Sequence, residues 1–295
     1  MFAVEQLLKI VGKMAKIIAI CNQKGGTGKT TTAVNLSTAL ALAGKKVLLV
    51  DIDPQANATS GLGIDKNKVS LSTYDVLTEE IPVAQILMSN LENKISILPS
   101  NSALAGAEVE LVSLFSREYR LKKALENITS EFDFILIDCP PSLGLLTINA
   151  LAAAHSILIP VQCEYYALEG LTQLLNTITL VRKNLNSALE IEGVVMTMAD
   201  YRTNLTQEVI SEVRNHFKEK VYQAVIPRNI RLTEAPSFGK SIFVYDKDSI
   251  GAKKYADLAN EILGKNSIQH IENNVVTNTE TIQNIHPQES SSPTV

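Results

Sequence analysis

The fold is decided by one stretch of the sequence, Gln23-Lys24-Gly25-Gly26-Thr27-Gly28-Lys29-Thr30-Thr31. The apolar run at residues 16–21 precedes it and is typical of a buried parallel strand. Residues 32–42 follow it and are rich in helix-forming side chains, and Gly44 then suits the left-handed end of a helix. A strand, a glycine-rich loop and a helix that starts at a Lys-Thr pair together predict a phosphate-binding loop.

The residue types of this loop suit the phosphates of a nucleotide. Gly25, Gly26 and Gly28 let backbone N–H groups turn inward without a clash of Cβ atoms. The N-terminus of the helix adds a partial positive charge. Lys29 can reach the β- and γ-phosphates as a point charge, and the Thr30 hydroxyl can ligate a magnesium ion that bridges them. The loop therefore predicts a site for a nucleoside triphosphate with Mg²⁺.

Two further apolar runs end in carboxylates. Residues 46–50 end at Asp51 and Asp53, and residues 134–137 end at Asp138. Open α/β sheets bind ligands beyond the carboxyl ends of their strands. We predict that Asp138 supports the metal in the Walker-B manner, that Asp51 contributes to the metal shell and that Asp53 orients the attacking water. From the residues alone, Asp51 and Asp53 are equally compatible with a structural role in capping a turn.

The rest of the chain alternates strand and helix patterns. Strands are indicated at residues 95–98, 156–161 and 191–198, and helices at 73–77, 83–91, 168–185, 205–217 and 251–263. A helical stretch over 108–127 is expected to be interrupted near Ser116. This alternation predicts an α/β fold of the P-loop NTPase type, with a mostly parallel, twisted sheet and helices on both faces.

Composition and charge narrow the class of protein. The chain has 295 residues, of which 45% are hydrophobic, and a net charge of −4, so no overall basic signature for nucleic acid is present. Its three cysteines, Cys21, Cys139 and Cys163, form no CxxC motif and predict the reduced thiols of a cytosolic protein. No apolar run reaches the ~18 residues that a membrane span needs.

The two ends of the chain differ from the middle. The apolar side chains of residues 1–13 can form one face of a short helix, and nothing there indicates a signal peptide. These side chains are Phe2, Val4, Leu7, Leu8, Ile10 and Val11. Met14 is an alternative start, so we interpret residues 1–13 as an N-terminal extension. Residues 265–295 are polar and are predicted to be a disordered tail, which leaves residues 14–264 as one domain.

The motifs resemble those of the ParA/Soj chromosome-partitioning ATPases, whose loop also carries the additional lysine that is Lys24 here. The resemblance covers about residues 15–263. It rests on five segments, which are residues 22–32, 51–55, 138–143, 161–170 and 226–237. It implies that residues 14–264 are a ParA-type ATPase domain.

The resemblance also implies roles for individual residues. ATP is expected between the two protomers of a homodimer, with Lys24 of each protomer contacting phosphate in the other. Catalytic roles are implied for Lys24, Lys29 and Asp53, and metal roles for Thr30, Asp51 and Asp138. ATP would be bound by Lys24, Gly25, Gly26, Thr27, Gly28, Lys29, Thr30, Thr31, Pro227 and Asn229. The last two would face adenine, although from its residues alone this segment is more often an ordinary proline loop.

DNA and a ParB-type protein are the partners that the resemblance implies. The ATP dimer is expected to bind nucleoid DNA without sequence preference, through Arg202 and Arg231, in the cytoplasm. A ParB-type centromere-binding protein would then trigger hydrolysis. Residues 196–254 contain ten basic and seven acidic side chains, which agrees weakly with a local DNA-binding surface.

Three alternatives remain open at this point. A MinD-like ATPase of division-site placement carries the same loop, but that class ends in a basic amphipathic helix that lies on lipid. The polar end of this chain argues against it, and the apolar stripe of residues 2–11 keeps it open. An iron–sulfur ATPase needs cysteines poised at a dimer interface, and no two of the three cysteines here are close in sequence. A DNA-binding scaffold without hydrolysis is disfavoured by the intact Asp53 and Asp138.

Overall fold

The structure, a computed structural model, describes residues 14–165 and 169–264, with side chains for all of these except residues 169 and 170. In that part of the chain, eight strands form one sheet. The strands are β1 (Lys16–Ile20), β2 (Val47–Asp51), β3 (Met88–Asn90), β4 (Ile95–Leu98), β5 (Phe134–Asp138), β6 (Ser156–Gln162), β7 (Glu190–Ala199) and β8 (Val221–Pro227). Their order across the sheet is β3-β4-β2-β5-β1-β6-β7-β8. All neighbouring strands are parallel except β3 and β4, which are antiparallel.

Helices cover both faces of the sheet. They are α1 (Lys29–Leu42), α2 (Asn57–Gly61), α3 (Thr73–Thr78), α4 (Leu104–Glu110), α5 (Arg120–Glu126), α6 (Leu145–Ala153), α7 (Glu169–Asn184), α8 (Asn204–Phe217), α9 (Ile230–Glu234), α10 (Ile242–Tyr245) and α11 (residues 250–264). Because successive side chains of a strand point to opposite faces, Ile18 and Leu136 pack with α1 and α11, whereas Ile17 and Ile135 pack with α3 to α8. The predicted α/β fold is confirmed.

Three of the local predictions can be compared directly. Gly44 has the expected left-handed conformation after α1, with φ of +81°. The stretch over 108–127 is interrupted as predicted, since Ser116 has a positive φ between α4 and α5. The helix predicted for residues 83–91 is wrong: Val83–Gln85 form one 3₁₀ turn, and β3 then pairs with β4 at the edge of the sheet. Tertiary pairing has overridden the local helical pattern there.

The predictions for residues 1–13 and 265–295 lie outside the described residues. Within the described ranges, no helix has both the length and the apolar character that crossing a membrane requires.

Candidate nucleotide-binding site

The glycine-rich loop connects β1 to α1. Gly26 and Gly28 have φ of +73° and +85°, a region that other residues rarely adopt, and Gly28 is the N-cap of α1. An added Cβ at Gly25 or Gly26 would meet no heavy atom within 4 Å, so this part of the loop faces open space. The buried side of the loop is fixed, because Thr197 Oγ1 donates a 2.8 Å hydrogen bond to the carbonyl oxygen of Thr27.

Lys29 begins α1 and is only 7% exposed. Its Nζ donates a 3.1 Å hydrogen bond to the carbonyl oxygen of Lys24, so the side chain lies against its own loop. Burial lowers the pKa of Lys29, and the nearby carboxylate of Asp138 acts in the opposite direction. Thr30 and Thr31 follow in the first turn of α1 and are half-buried. A cation and two hydroxyl groups at a helix N-terminus are suited to binding phosphate.

Asp138 ends β5 and is completely buried. Among the described residues, neither of its carboxylate oxygens has a hydrogen-bond partner. Burial, followed by the charge of Asp51, raises the pKa of Asp138 well above its usual range. The Thr30 hydroxyl approaches Asp138 and partly offsets this rise, without completing a hydrogen bond. An unpartnered buried carboxylate is costly, so its presence requires an explanation beyond folding.

A bound cation supplies that explanation. Magnesium prefers oxygen ligands, and it usually keeps several waters while using only one or two carboxylates together with phosphate. The Asp138 carboxylate and the Thr30 hydroxyl, at the N-terminus of α1, provide such donors. The residues present therefore fit a magnesium ion held beside a phosphate group.

Asp51 lies directly opposite Asp138 in the sheet register, but its environment is different. Thr59 donates to Asp51 Oδ2 from both its backbone N–H and its hydroxyl, at 2.8 and 2.7 Å. The backbone N–H of Asp53 donates to Asp51 Oδ1 at 3.2 Å. Burial raises the pKa of Asp51 to about 6, although these hydrogen bonds oppose the rise. Asp51 therefore fixes the start of α2, which corresponds to the turn-capping role that the sequence analysis left open for it.

Asp53 lies just beyond β2 and is almost fully buried. Its Oδ1 accepts a 2.9 Å hydrogen bond from the backbone N–H of Gln55, which orients the carboxylate. The Ser100 hydroxyl donates to the Asp53 carbonyl oxygen at 2.8 Å and so connects this turn to the loop that follows β4. The turn that carries Asp53 is thus held rigidly from two directions.

A cavity of about 520 Å³ extends from the loop toward the end of β8. Pro227 and Asn229 line it together with Gly28 and Thr31. Asn229 Oδ1 accepts a 2.8 Å hydrogen bond from the backbone N–H of Arg231, which caps α9. Because the oxygen is engaged in this way, the Nδ2 amide is the group that Asn229 can offer to a ligand in the cavity. The cavity joins the predicted adenine residues to the phosphate-binding loop.

Lys24 is held by an acidic side chain of its own chain. Its Nζ lies 2.9 Å from Glu164 Oε2, and the two side chains are 37% and 45% exposed. Gln162 Nε2 donates to the other oxygen, Glu164 Oε1, and so orients the carboxylate. Asn22 Oδ1 accepts a 3.0 Å hydrogen bond from the Lys24 backbone N–H. The Lys24 side chain is thus at the surface and paired within the protomer.

Comparison with known proteins assigns this site to a family. A family model described as an AAA domain matches residues 15–191. Sporulation initiation inhibitor protein Soj of Bacillus subtilis (strain 168) is 61% identical over 249 residues, which are 84% of this chain and 98% of Soj. Chromosome partitioning protein ParA of Myxococcus xanthus (strain DK1622) is 50% identical over 254 residues, which are 86% of this chain and 90% of that protein. The chain belongs to the ParA/Soj family.

A solved structure extends the comparison to the nucleotide. Cobyrinic acid a,c-diamide synthase from Mycobacterium smegmatis, determined with bound ADP and magnesium, superposes on this chain with a TM-score of 0.75. It is 38% identical, and the match covers 85% of this chain and 94% of the synthase chain. The resemblance to the ParA/Soj ATPases and the P-loop fold class are thereby confirmed, and ADP with magnesium occupies a protein of the same fold.

Two arginines lie at the same edge of the sheet but do not line the nucleotide cavity of this ParA/Soj chain. Arg202 follows β7 and is paired with Asp200, with a 2.8 Å bond from Nε to Oδ1. Arg231 follows β8, in α9, and its Nη1 lies 3.0 Å from Glu234 Oε2. Since β7 and β8 are parallel neighbours, both arginines emerge at one end of the sheet. Both side chains are exposed.

Two of the three cysteines are adjacent in the fold, which their spacing in the sequence does not indicate. Cys21 lies just beyond β1, and its Sγ is 2.8 Å from Cys139 Sγ, although 118 positions separate the two residues. All three cysteines are free and buried. Within residues 14–165 and 169–264, no group of three or more His, Cys, Asp or Glu side chains is arranged to hold a metal ion. A cluster shared between two protomers needs cysteines at the dimer interface, whereas Cys21 and Cys139 are completely buried, so the iron–sulfur alternative gains no support.

Three residues that shape the ParA/Soj site were missed by the sequence analysis. Thr59 binds Asp51, Thr197 anchors the loop and Glu164 holds Lys24. Each one acts through a contact with a residue that is distant in sequence, by 8, 170 and 140 positions. Thr59 and Thr197 carry no local motif. Glu164 lies in residues 161–170, one of the five segments on which the resemblance to the ParA/Soj ATPases rests. This was the one signal in the sequence that pointed to any of the three residues.

Proposed function

We propose that this chain is the ATP-dependent dimeric switch of a DNA-partitioning system. In its ATP-bound dimer it binds nucleoid DNA without sequence preference, and a ParB-type partner stimulates hydrolysis and release. The observation that carries this proposal is the unpartnered, fully buried Asp138 carboxylate beside Lys29 and Thr30. A magnesium ion with the triphosphate, when bound, would neutralise these charges and polarise the γ-phosphate.

Each predicted residue has a physical task in this proposal. Lys29 would bind the β- and γ-phosphates, and its pairing with the Lys24 carbonyl oxygen would be exchanged for phosphate. Asp53, oriented by the Gln55 N–H, would position the attacking water. Asp138 and Thr30 would hold the metal. A metal role for Asp51 stays a prediction, and its three hydrogen bonds within the protein make an indirect, water-mediated role the better one.

The dimer would use the surface position of Lys24. A lysine that is one-third exposed and paired through one surface salt bridge is released at small cost, because such pairs typically contribute only about 0.2–1 kcal/mol. Each Lys24 would then neutralise phosphate charge in the partner's site. Without the second protomer each nucleotide lacks this cation, which makes ATP itself the signal for dimer formation.

DNA binding would use Arg202 and Arg231. Both are exposed, lie at one end of the sheet and carry the planar guanidinium group that suits phosphate oxygens. In the free protein each arginine is paired with a carboxylate of its own chain. DNA phosphates would have to replace these carboxylates, so moderate affinity with strong salt dependence is expected.

The test is a DNA-binding titration with ATP, with ADP and without nucleotide, on two duplexes of unrelated sequence. The proposal expects tight binding only with ATP, equal affinity for both duplexes, and faster phosphate release when a ParB-type protein and DNA are both added. Binding that is independent of nucleotide would contradict the switch. Flotation with vesicles under ATP, without DNA binding, would favour the MinD-like alternative instead. The apolar stripe of residues 2–11, which keeps that alternative open, lies outside the described residues.

A further inference from the structure

An apolar groove lies on the face of the sheet that α1 does not cover. It is lined by Val76 of α3, Ile81, Val83, Phe115, Ala124 of α5 and Ile128, and it encloses about 400 Å³. The Phe115 side chain at its rim is 95% exposed. A large aromatic side chain exposed beside an apolar groove is a feature that usually marks a binding surface.

The charged residues of the rim are already paired with one another. Glu80 accepts ion pairs from Arg120 at 3.3 Å and from Lys123 at 3.2 Å. These three residues carry a net charge of +1, and both cations are engaged by Glu80 rather than free for a nucleic acid or a lipid phosphate. The groove fits an apolar occupant with a polar outer face.

The described chain begins next to this groove. The Ala15 backbone N–H donates a 2.8 Å hydrogen bond to the Thr129 carbonyl oxygen, and the Thr129 hydroxyl lies 3.4 Å from Met14 Sδ. Thr129 directly follows Ile128, which lines the groove. The chain that precedes Met14 is thus attached at one end of the groove, and a tethered segment has an effective concentration in the millimolar range.

The sequence before Met14 has the matching pattern. Val4, Leu7, Leu8 and Val11 have the i, i+3, i+4, i+7 spacing of one helix face. Glu5, Gln6 and Lys9 fall on the other face, which also carries the apolar side chains of Phe2 and Ile10. Gly12 suits the end of such a helix. Ten helical residues extend about 15 Å, which is about one turn longer than the roughly 10 Å of the seven residues of α5, and residues 12 and 13 are left as a connection.

We propose that residues 2–11 form an amphipathic helix that packs its apolar face into the groove of its own chain, between α3 and α5. This docking is independent of nucleotide and of the proposed function. It also connects to the site, because the Thr73 hydroxyl at the start of α3 donates a 2.7 Å hydrogen bond to the Asp51 carbonyl oxygen. The docked helix would thus support the element that lies behind Asp51.

The test uses a fluorescent reporter in the groove. The chain contains no tryptophan, so Phe115→Trp provides a single indole at the rim. In the full chain the proposal expects blue-shifted emission, independent of protein concentration. Deletion of residues 2–13, or Leu7→Asp, should shift the emission to that of a solvent-exposed indole. Gln6→Asp is the matched control, since it adds the same charge on the polar face and should leave the emission unchanged.

Hydrogen exchange provides a second measurement on the chain without the Trp substitution. Amides of residues 4–11, and those of α3 and α5, should exchange at least about tenfold more slowly in the full chain than after Leu7→Asp. Equal emission in the full and deleted chains, with equal exchange in the full chain and the Leu7→Asp variant, would overturn the proposal. A blue shift that grows with protein concentration would assign the groove to a second copy. Flotation of the full chain on anionic vesicles, with the indole still exposed, would assign residues 2–11 to lipid.

Discussion

The substitution Glu164→Gln should strengthen the ATP-dependent dimer. Glu164 holds Lys24 within its own protomer at 2.9 Å, and this pair must open before Lys24 can reach the partner's phosphates. With side chains that are 37% and 45% exposed, the pair is worth roughly 0.2–1 kcal/mol. Two such pairs open per dimer, so removing them lowers the dimer dissociation constant by about 2- to 30-fold.

The assay is sedimentation velocity over a protein dilution series at saturating ATP, with Asp53→Ala in every sample to prevent turnover. The gain in dimer affinity caused by Glu164→Gln should become smaller as the salt concentration is raised, because salt screens surface ion pairs. Asp257→Asn is the matched control: it breaks the Lys254–Asp257 pair, which has a distance of 2.8 Å and exposures of 37% and 51%, and should not change dimerisation. An unchanged dissociation constant for Glu164→Gln, or a weaker dimer, would refute the reasoning.

Three further substitutions test the site. Asp138→Asn should raise the free energy of unfolding of the metal-free protein, seen as a higher melting temperature, because a neutral amide avoids the cost of a buried charge beside Asp51. A loss of stability would contradict this interpretation, and ATPase activity should fall. Asp53→Ala should slow phosphate release by at least ~10²-fold without weakening nucleotide binding. Normal turnover in this variant would mean that another residue positions the attacking water. The double substitution Arg202→Ala with Arg231→Ala should reduce the slope of log K for DNA binding against log salt by about 0.9 for each DNA phosphate that is no longer neutralised. The reduction should be the same on unrelated duplexes, and an unchanged slope would show that neither arginine belongs to the DNA-binding surface.

The parts of the fold that could be predicted were those specified by local chemistry. The loop from Gln23 to Thr31 needs glycines at positive φ, and the structure has Gly26 and Gly28 there. The strand that ends at Asp138 is apolar throughout because both faces of the sheet are covered, and its bounds agree with the sequence pattern. Such features are visible in a single stretch of the chain.

The parts that could not be predicted depend on contacts between distant stretches. Residues 83–91 have a helical pattern, yet part of them pairs with the edge of β4 as β3. Asp51 and Asp138 are both aspartates at the ends of apolar runs, and only the structure distinguishes the one that Thr59 satisfies from the one without a partner among the described residues. Cys21 and Cys139 are brought together solely by the pairing of β1 with β5.

The most direct test of the central claim is the mass of the protein in solution with ATP, measured by light scattering for two chains. One chain carries Asp53→Ala alone, and the other carries Asp53→Ala together with Lys24→Ala. We expect the first to be a dimer with ATP and a monomer with ADP, because Lys24 would neutralise phosphate in the partner's site. We expect the second to bind ATP, since Lys29 and the loop are intact, yet to remain a monomer. A dimer that persists without the Lys24 side chain, or a first chain that binds ATP as a monomer, would contradict the account.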